Sequence, residues 1–282
     1  MVSCSRHQTY QKLYHIIYVK VKIVAFFIKG QPITIAFPVW FTHSALKFSS
    51  KIIIHPNAHI VTDEHIAWDK KNISSSLGTT SKGIAPCYSD KSLRKGMQAK
   101  DCKELLPWVS SEDLKGRILC EGAQGFHLDL DWGNYPYVTS SITLPYGACS
   151  LGFSPKKIRN IIGAAKMYDT RSGEDPLFPE TLFDNPELKA IADEGAEFGV
   201  TTGRRRKVNY LNLDYLKKAI EVGGATHLIL SKGDVLEKVS VFKVIFDNKI
   251  KTFANISDMK SFIISVLPSG LNVVFSNSPK RI

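Results

Sequence analysis

The segment GVTTGRRRK, Gly199 to Lys207, holds the densest set of reactive side chains in the sequence: Thr201 and Thr202, a glycine, then Arg204, Arg205, Arg206 and Lys207. Guanidinium groups suit bidentate recognition of carboxylate and phosphate. Packed like charge costs stability unless an anion is present, so the segment predicts an anion-binding loop, with an exposed basic loop as the alternative. LGTTSKGIAP, Leu77 to Pro86, offers main-chain N–H groups, the hydroxyls of Thr79, Thr80 and Ser81, and Lys82. That is the chemistry of a phosphate cradle. It is not a Walker A motif, which needs GxxxxGK followed by Ser or Thr, and by itself such a stretch is more often a flexible loop.

Two further candidates follow strands. In EGAQGFHLDLDWGNYPYVTSS, Glu121 to Ser141, Gln124 sits between glycines at a strand end, where ligands of α/β sheets bind. Thr139 is a polar contact candidate. Asp129 and Asp131 have the look of a metal pair, but a solvated loop is the better default. SKGD, Ser231 to Asp234, also lies at a strand end. A carboxylate there can accept from N1–H and the exocyclic amine of guanine, with Lys232 beside the nucleotide. The histidines show no HExxH or other ligand spacing, and GxSxG is absent.

The elements that must position these residues read as ordinary α/β. Helices are expected over 62–72, most of 90–109 (broken near Gly96), 185–199, 212–224 and 258–267, and a helix leading into a strand over 155–169. Residues 71–90 and 172–186 read as loops. Strands are expected within 16–28, 33–37, 51–61, 116–126 and 226–236, a last one begins at Leu271, and residues 241–253 read as a hairpin turning at Asp247 and Asn248. The charge-free stretch Gln31 to Leu46 has 16 residues with Pro38 inside it, short of the ~20 apolar residues of a spanning helix, so no membrane span is expected. Five widely spaced cysteines without a CxxC pair argue against a disulfide framework and for a reducing, cytoplasmic setting. The net charge of +11 invites a nucleic-acid reading, but +7 of it sits in residues 1–62, which hold no acid, so no specific nucleic-acid partner is expected.

Together the segments GTTSKGIAP, LRKG, EGAQG, YPYVTSS, TRSG, GVTTGRRRK, SKGD and SNSP resemble, in order, those of adenylosuccinate synthetases over roughly residues 52–279. The compact length is similar to short archaeal and viral forms. The resemblance implies a large, mainly parallel sheet flanked by helices, a P-loop-NTPase-like adenylosuccinate synthetase fold, with residues 1–51 an anomalous basic, strand-rich segment and 52–282 the synthetase-like domain. It implies a GTP-dependent C–N ligase of purine biosynthesis: IMP, L-aspartate and GTP give adenylosuccinate, GDP and phosphate, with Mg²⁺, in a homodimer. Carried over residue by residue, IMP contacts fall on Thr80, Arg94 (reaching a neighbouring subunit's site), Gln124, Thr139 and Arg204. Aspartate contacts fall on Thr201, Thr202, Arg204 and Arg206. GTP contacts fall on Arg206, Lys232, Asp234, Ser276 and Ser278, and no metal ligand is assigned.

The sequence also departs from the family pattern. The opening WGDEGKG loop, which binds GTP phosphate and supplies the catalytic base, and the GHNAGH loop with the catalytic histidine are not in these residues. His15 and His43 lack the right setting to replace that histidine, so no catalytic residue is assigned. The simplest expectation is a truncated or altered N-terminus and turnover lowered by several orders of magnitude. Gly233 stands where the family prefers a bulkier apolar residue. Two alternatives accompany this reading: a viral-type synthetase that takes dGMP in place of IMP, and a non-catalytic nucleotide-binding member of the family.

Overall fold

The structure is a computed structural model, and it describes residues 15–16, 24–28, 31–36, 54–73, 77, 79–112, 116–152, 154–199 and 203–277. The chain divides into two compact units, Met1–Pro155 and Lys156–Ile282.

In the first unit, β1 (His15–Ile16) pairs antiparallel with β4 (Ile60–Val61). A second sheet has β2 (Val24–Ile28) antiparallel to β3 (Gln31–Ala36), and β3 parallel to β5 (Ile118–Cys120). Helix α1 (Asp63–Asn72) starts where the sequence places it. The Thr62 hydroxyl accepts from the His65 N–H, the Thr62 N–H donates to His65 Nδ1, and Asp63 and Glu64 sit in the positive first turn.

Two expectations fail in this unit. Helix α2 (Ile84–Ser92) begins inside the stretch read as a loop. Its start needs Gly83: φ is +74°, and a Cβ there would lie 2.8 Å from the main chain of His65 in α1. Pro86 falls in the first turn, where a missing N–H costs nothing, so it does not break the helix. Residues 99–108, read as helical, instead form two 3₁₀ segments, Ala99–Asp101 and Lys103–Trp108, the second containing Pro107. Main-chain pairing with residues 54–60 overrides the helical period there: Ala99 N–H donates to Ala58 O at 2.7 Å and Ile54 N–H to Trp108 O at 2.7 Å. Ile54, Ala58, Ile60, Ala99, Cys102 and Leu105 bury together as a result.

The second unit holds the larger core. Strands β6 (Ile162–Lys166), β9 (His227–Ser231) and β12 (Asn272–Ser276) form an all-parallel sheet in the order β12-β9-β6. A second, mixed sheet runs β11-β10-β8-β7, from β7 (Tyr168–Arg171), β8 (Lys207–Asn212), β10 (Lys243–Phe246) and β11 (Lys249–Thr252). Helices α3 (Pro186–Glu194), α4 (Leu213–Gly223) and α6 (Ile256–Val266) each start on an asparagine side chain, Asn185, Asn212 and Asn255, that accepts from the first-turn N–H groups. Leu228, Leu230, Leu211, Met259, Ile263 and Tyr168 pack in one buried cluster.

The β10–β11 hairpin turns at Asp247 and Asn248 as expected, with φ of +52° and +56°. The helix expected ahead of β6 is replaced by a short 3₁₀ segment, Pro155–Lys157. An unforeseen helix, α5 (Gly233–Val239), follows β9. The α/β class read from the sequence is the class the chain adopts. Among the described residues no helix is long and apolar enough to cross a membrane.

Candidate functional site: a cation cluster at the carboxyl ends of the parallel sheet

In the second unit, the parallel register aligns Lys166, Ser231 and Ser276 at the carboxyl ends of their strands. Lys232 then turns the chain with φ of +68° into α5, whose first turn carries Asp234. The Lys232 ammonium donates to Gly195 O at 3.1 Å. Ser276 is buried, while Lys232 and Asp234 are half-buried. A carboxylate in the first turn of a helix at a strand end is held by local geometry rather than by a long side-chain search. Gly233 is packed tightly: a Cβ there would lie 3.0 Å from Asn277 Oδ1 and 3.1 Å from Met167 Sδ. The glycine is matched to its local surroundings.

The arginine loop leaves α3 through a tight turn. A Cβ on Gly195 would collide with the Tyr168 hydroxyl, which explains a glycine whose own φ is ordinary. Phe198 and Arg205 then bridge antiparallel, and Arg206 N–H donates to Glu197 O at 2.9 Å, so Glu197–Phe198 and Arg205–Arg206 run side by side. The four charges of RRRK diverge. Arg205 pairs with Asp193 at 2.6 Å, Arg206 with Glu197 at 2.8 Å, and the buried Lys207 with Glu174 and Glu180 at 3.4 and 2.5 Å. Arg204 is exposed at the loop. The chain itself therefore supplies counter-ions for Arg205, Arg206 and Lys207, and the expected concentration of bare charge is not what the fold presents.

Glu197 is the centre of this arrangement. It is 2% exposed. It accepts from Lys166 Nζ at 2.7 Å, from the Tyr168 hydroxyl at 2.7 Å and from Arg206 at 2.8 Å. Burial pushes its carboxyl up, but the hydrogen bonds from Lys166, Tyr168 and Arg206 outweigh this and hold it below the usual carboxylate range. Burial pushes the Lys166 ammonium down, with the charges of Arg206 and Lys232 adding to the effect and Glu197 opposing it. Burial and the bond to Glu197 push the Tyr168 phenol up.

In the first unit, two buried carboxylates shape the loops that carry the other candidates. Asp69 of α1 is 3% exposed and accepts from Gly83 N–H at 2.8 Å and Thr79 Oγ1 at 3.2 Å, which fixes the Thr79–Gly83 turn and leaves Thr80 exposed. Asp129 is fully buried and accepts from the N–H groups of Asp131, Trp132 and Thr143 and from Thr143 Oγ1. The solvated-loop reading of Asp129 is thus wrong: it organises the segment, while Asp131 is exposed. Gln124 is exposed just after β5 with φ of +60°. Thr139 is half-buried, its N–H donating to Leu128 O at 2.8 Å. Arg94 is exposed just beyond α2 with φ of +64°.

Thr201, Thr202 and Ser278 lie outside the described residues. Of the rest, the second unit brings Arg206, Lys232, Asp234 and Ser276 to one sheet end, with Arg204 exposed at the loop leading into Arg206. Thr80, Arg94, Gln124 and Thr139 belong to the first unit. Sequence reasoning missed Glu197, Lys166, Tyr168 and Asp69. The signal available was a glutamate two residues after a glycine helix stop and directly ahead of the loop, with too little around it to single it out. Among the described residues no three His, Cys, Asp or Glu side chains converge as metal ligands.

This is a parallel-stranded α/β unit with cations and a carboxylate gathered at the strand ends, the position at which open α/β sheets bind their ligands. Comparison with known proteins narrows this. The adenylosuccinate synthetase family model matches residues 41–115 and 109–262. The adenylosuccinate synthetase of Flavobacterium johnsoniae is 35% identical over 256 residues, covering 71% of this chain and 60% of that protein. That of Thermodesulfovibrio yellowstonii is 32% identical, covering 72% and 60%. Among solved structures, the fully ligated adenylosuccinate synthetase of Plasmodium falciparum superposes with a TM-score of 0.60 at 24% identity, covering 72% of this chain and 61% of that one. The cyanophage S-2L succinoaminodeoxyadenylate synthetase, bound to dGMP and to dATP as energy donor, superposes at 0.55 and 20% identity, covering 79% and 75%. The two superpositions show the shared fold. This chain belongs to the adenylosuccinate synthetase family, and it spans about 60% of the length of the curated relatives it matches.

Proposed function

We propose that the chain serves purine nucleotide biosynthesis as a GTP-dependent C–N ligase that joins IMP to L-aspartate, in the manner of the short members of the family. GTP phosphorylates the 6-oxygen of IMP, and the aspartate amine then displaces phosphate to give adenylosuccinate, GDP and phosphate. The observation that carries this reading is the cluster of Lys232, Asp234 and Ser276 at the ends of the parallel sheet, with Arg206 joined to Lys166 of that sheet through Glu197, in a chain with this family membership. In it, Asp234 would accept from N1–H and the exocyclic amine of guanine, Lys232 would lie against the nucleotide, and Arg206 would balance developing phosphoryl charge. Thr80, Arg94, Gln124, Thr139 and Arg204 would hold IMP. Thr201, Thr202, Arg204 and Arg206 would hold aspartate, and Ser278 would join Ser276 on guanine. Arg94, exposed beyond α2, would serve a second copy in a cytoplasmic homodimer, and Mg²⁺ would arrive with GTP.

The test uses the full chain. GDP binding is measured by calorimetry, and adenylosuccinate is followed chromatographically with IMP, aspartate and magnesium GTP. Binding of GDP in preference to ADP is expected. Failure to bind GDP overturns the reading. Product from dGMP but not IMP would assign the substrate of the viral type. GDP binding without turnover would assign the chain to the non-catalytic members. A turnover number within about tenfold of an intact synthetase would show that a residue outside WGDEGKG and GHNAGH stretches supplies the base.

A further inference from the structure

The mechanism just proposed uses Arg206 but leaves unexplained why a buried glutamate sits behind it. Glu197 takes three donors on one carboxylate: an ammonium, a phenol and a guanidinium. It is 2% exposed, whereas the Lys166 and Arg206 side chains are 25% and 28% exposed. Each cation is thus tied to a buried anchor while its side chain stays partly exposed, and the Lys166 ammonium also donates to Thr170 Oγ1 at 3.2 Å. An arginine on a loop has several rotatable bonds, and freezing them at the moment of binding costs affinity. A buried anchor removes that cost in advance, and it does so without lying in the ligand's path.

The anchoring is double. The Glu197 main-chain oxygen accepts from the Arg206 N–H, and the Glu197 carboxylate accepts from the Arg206 guanidinium. Backbone and side chain of one residue therefore set both the base of the loop and the direction of its arginine. Tyr168 fixes the carboxylate in turn, and Gly195 exists in a form that leaves room for the Tyr168 hydroxyl. Lys166, one position along the sheet from Lys232 by strand register, is held by the same carboxylate.

We infer that Glu197 is a positioning residue that, with Tyr168 locking it, presents Arg206 and Lys166 as a preorganised pair to the anionic part of the nucleotide. The inference rests on the nucleotide reading above, and it adds Lys166 to the groups facing the ligand. A residue of merely structural importance would lower stability and leave the affinity of the folded protein alone. A positioning residue acts on affinity through Arg206, and that coupling is measurable.

The experiment measures GDP affinity by calorimetry for the full chain, E197Q, Y168F, R206A and the double variant E197Q/R206A, each checked for folding by thermal unfolding. E197Q should weaken GDP about tenfold or more, and Y168F, which removes one hydrogen bond and no charge, about two- to fivefold. In the R206A background, E197Q should weaken GDP by clearly less than it does in the wild-type background, because one of the two groups it orients is gone while Lys166 remains. Unchanged GDP affinity in E197Q, or equal weakening with and without Arg206, overturns the inference while leaving the nucleotide reading intact. Should E197Q fail to fold, Y168F decides: wild-type affinity in that variant overturns the inference. A wild-type chain that does not bind GDP removes the nucleotide reading itself, and the inference with it.

Discussion

Replacing Asp129 with alanine tests how the segment carrying Gln124 and Thr139 is held. The carboxylate is fully buried and accepts from the N–H groups of Asp131, Trp132 and Thr143 at 3.0, 3.2 and 2.5 Å, and from Thr143 Oγ1 at 3.2 Å. Asp131 and Trp132 are exposed, so their N–H groups can turn to water in the variant. Thr143 is half-buried, and its two donors lose a charged acceptor. A hydrogen bond to a charged group contributes roughly 1.5–3 kcal/mol, so counting the Thr143 pair alone gives a loss of about 3–6 kcal/mol for D129A and about half that for D129N. All four tryptophans, Trp40, Trp68, Trp108 and Trp132, belong to the first unit, so urea unfolding followed by tryptophan fluorescence reports that unit by itself. The pH dependence has a definite sign. Burial raises the Asp129 carboxyl, but its hydrogen bonds outweigh burial and hold it below the ordinary value. The stabilisation is therefore complete above the unfolded-state pKa of about 3.9 and is lost as the pH falls through the lower folded value. The gap between wild type and D129N should be full near neutral pH and should close in acid. A D129A protein within about 0.5 kcal/mol of wild type, or a gap to D129N that does not narrow as the pH falls below the unfolded-state value, refutes the argument.

Three other outcomes are expected. Gly195→Ala drives a methyl group into the Tyr168 hydroxyl and should cost the second unit about 1–3 kcal/mol, read by thermal unfolding followed by circular dichroism. Asp234→Ala should weaken GDP by roughly a hundredfold and abolish its advantage over ADP in calorimetry, as expected from two lost hydrogen bonds to a charged acceptor. Asp169 is pushed up to about 7 by burial, with the Asn212 N–H opposing. Its raised folded pKa means that stability falls as the pH rises from the unfolded value toward 7. Asp169→Asn should then exceed wild type by about 1 kcal/mol or more at pH 8 and converge with it near pH 4, as measured by denaturant unfolding.

The sequence was most legible where local chemistry decides structure. The Thr62 cap, the Asp247–Asn248 turn and the strand ends carrying Lys232 and Gln124 stand where the residues place them. It was least legible where distant main chain competes with local period. Residues 99–108 have helical spacing but pair with residues 54–60, and α2 forms only because Gly83 lets its start press against α1. Charge reading failed in a similar way. RRRK has its full charge in the sequence, but Asp193, Glu197, Glu174 and Glu180 meet Arg205, Arg206 and Lys207 in the fold, and their spacing along the chain gives no hint of convergence. Asp69 and Asp129 look like surface acids until their main-chain partners, 14 residues away at Gly83 and Thr143, are in place.

The all-parallel sheet has a kinetic consequence. Its strands come from residues 162–166, 227–231 and 272–276, and every connection between them is long. Closing such loops costs entropy before any contact rewards it, so this sheet forms late and as a whole. Lys166, Lys232 and Ser276 cannot be near one another before that step. Occupancy of the cluster is therefore a timer for the second unit: a ligand present during refolding captures only chains that have finished, and excess ligand should deepen the folded basin by a logarithm of its concentration without speeding the approach to it.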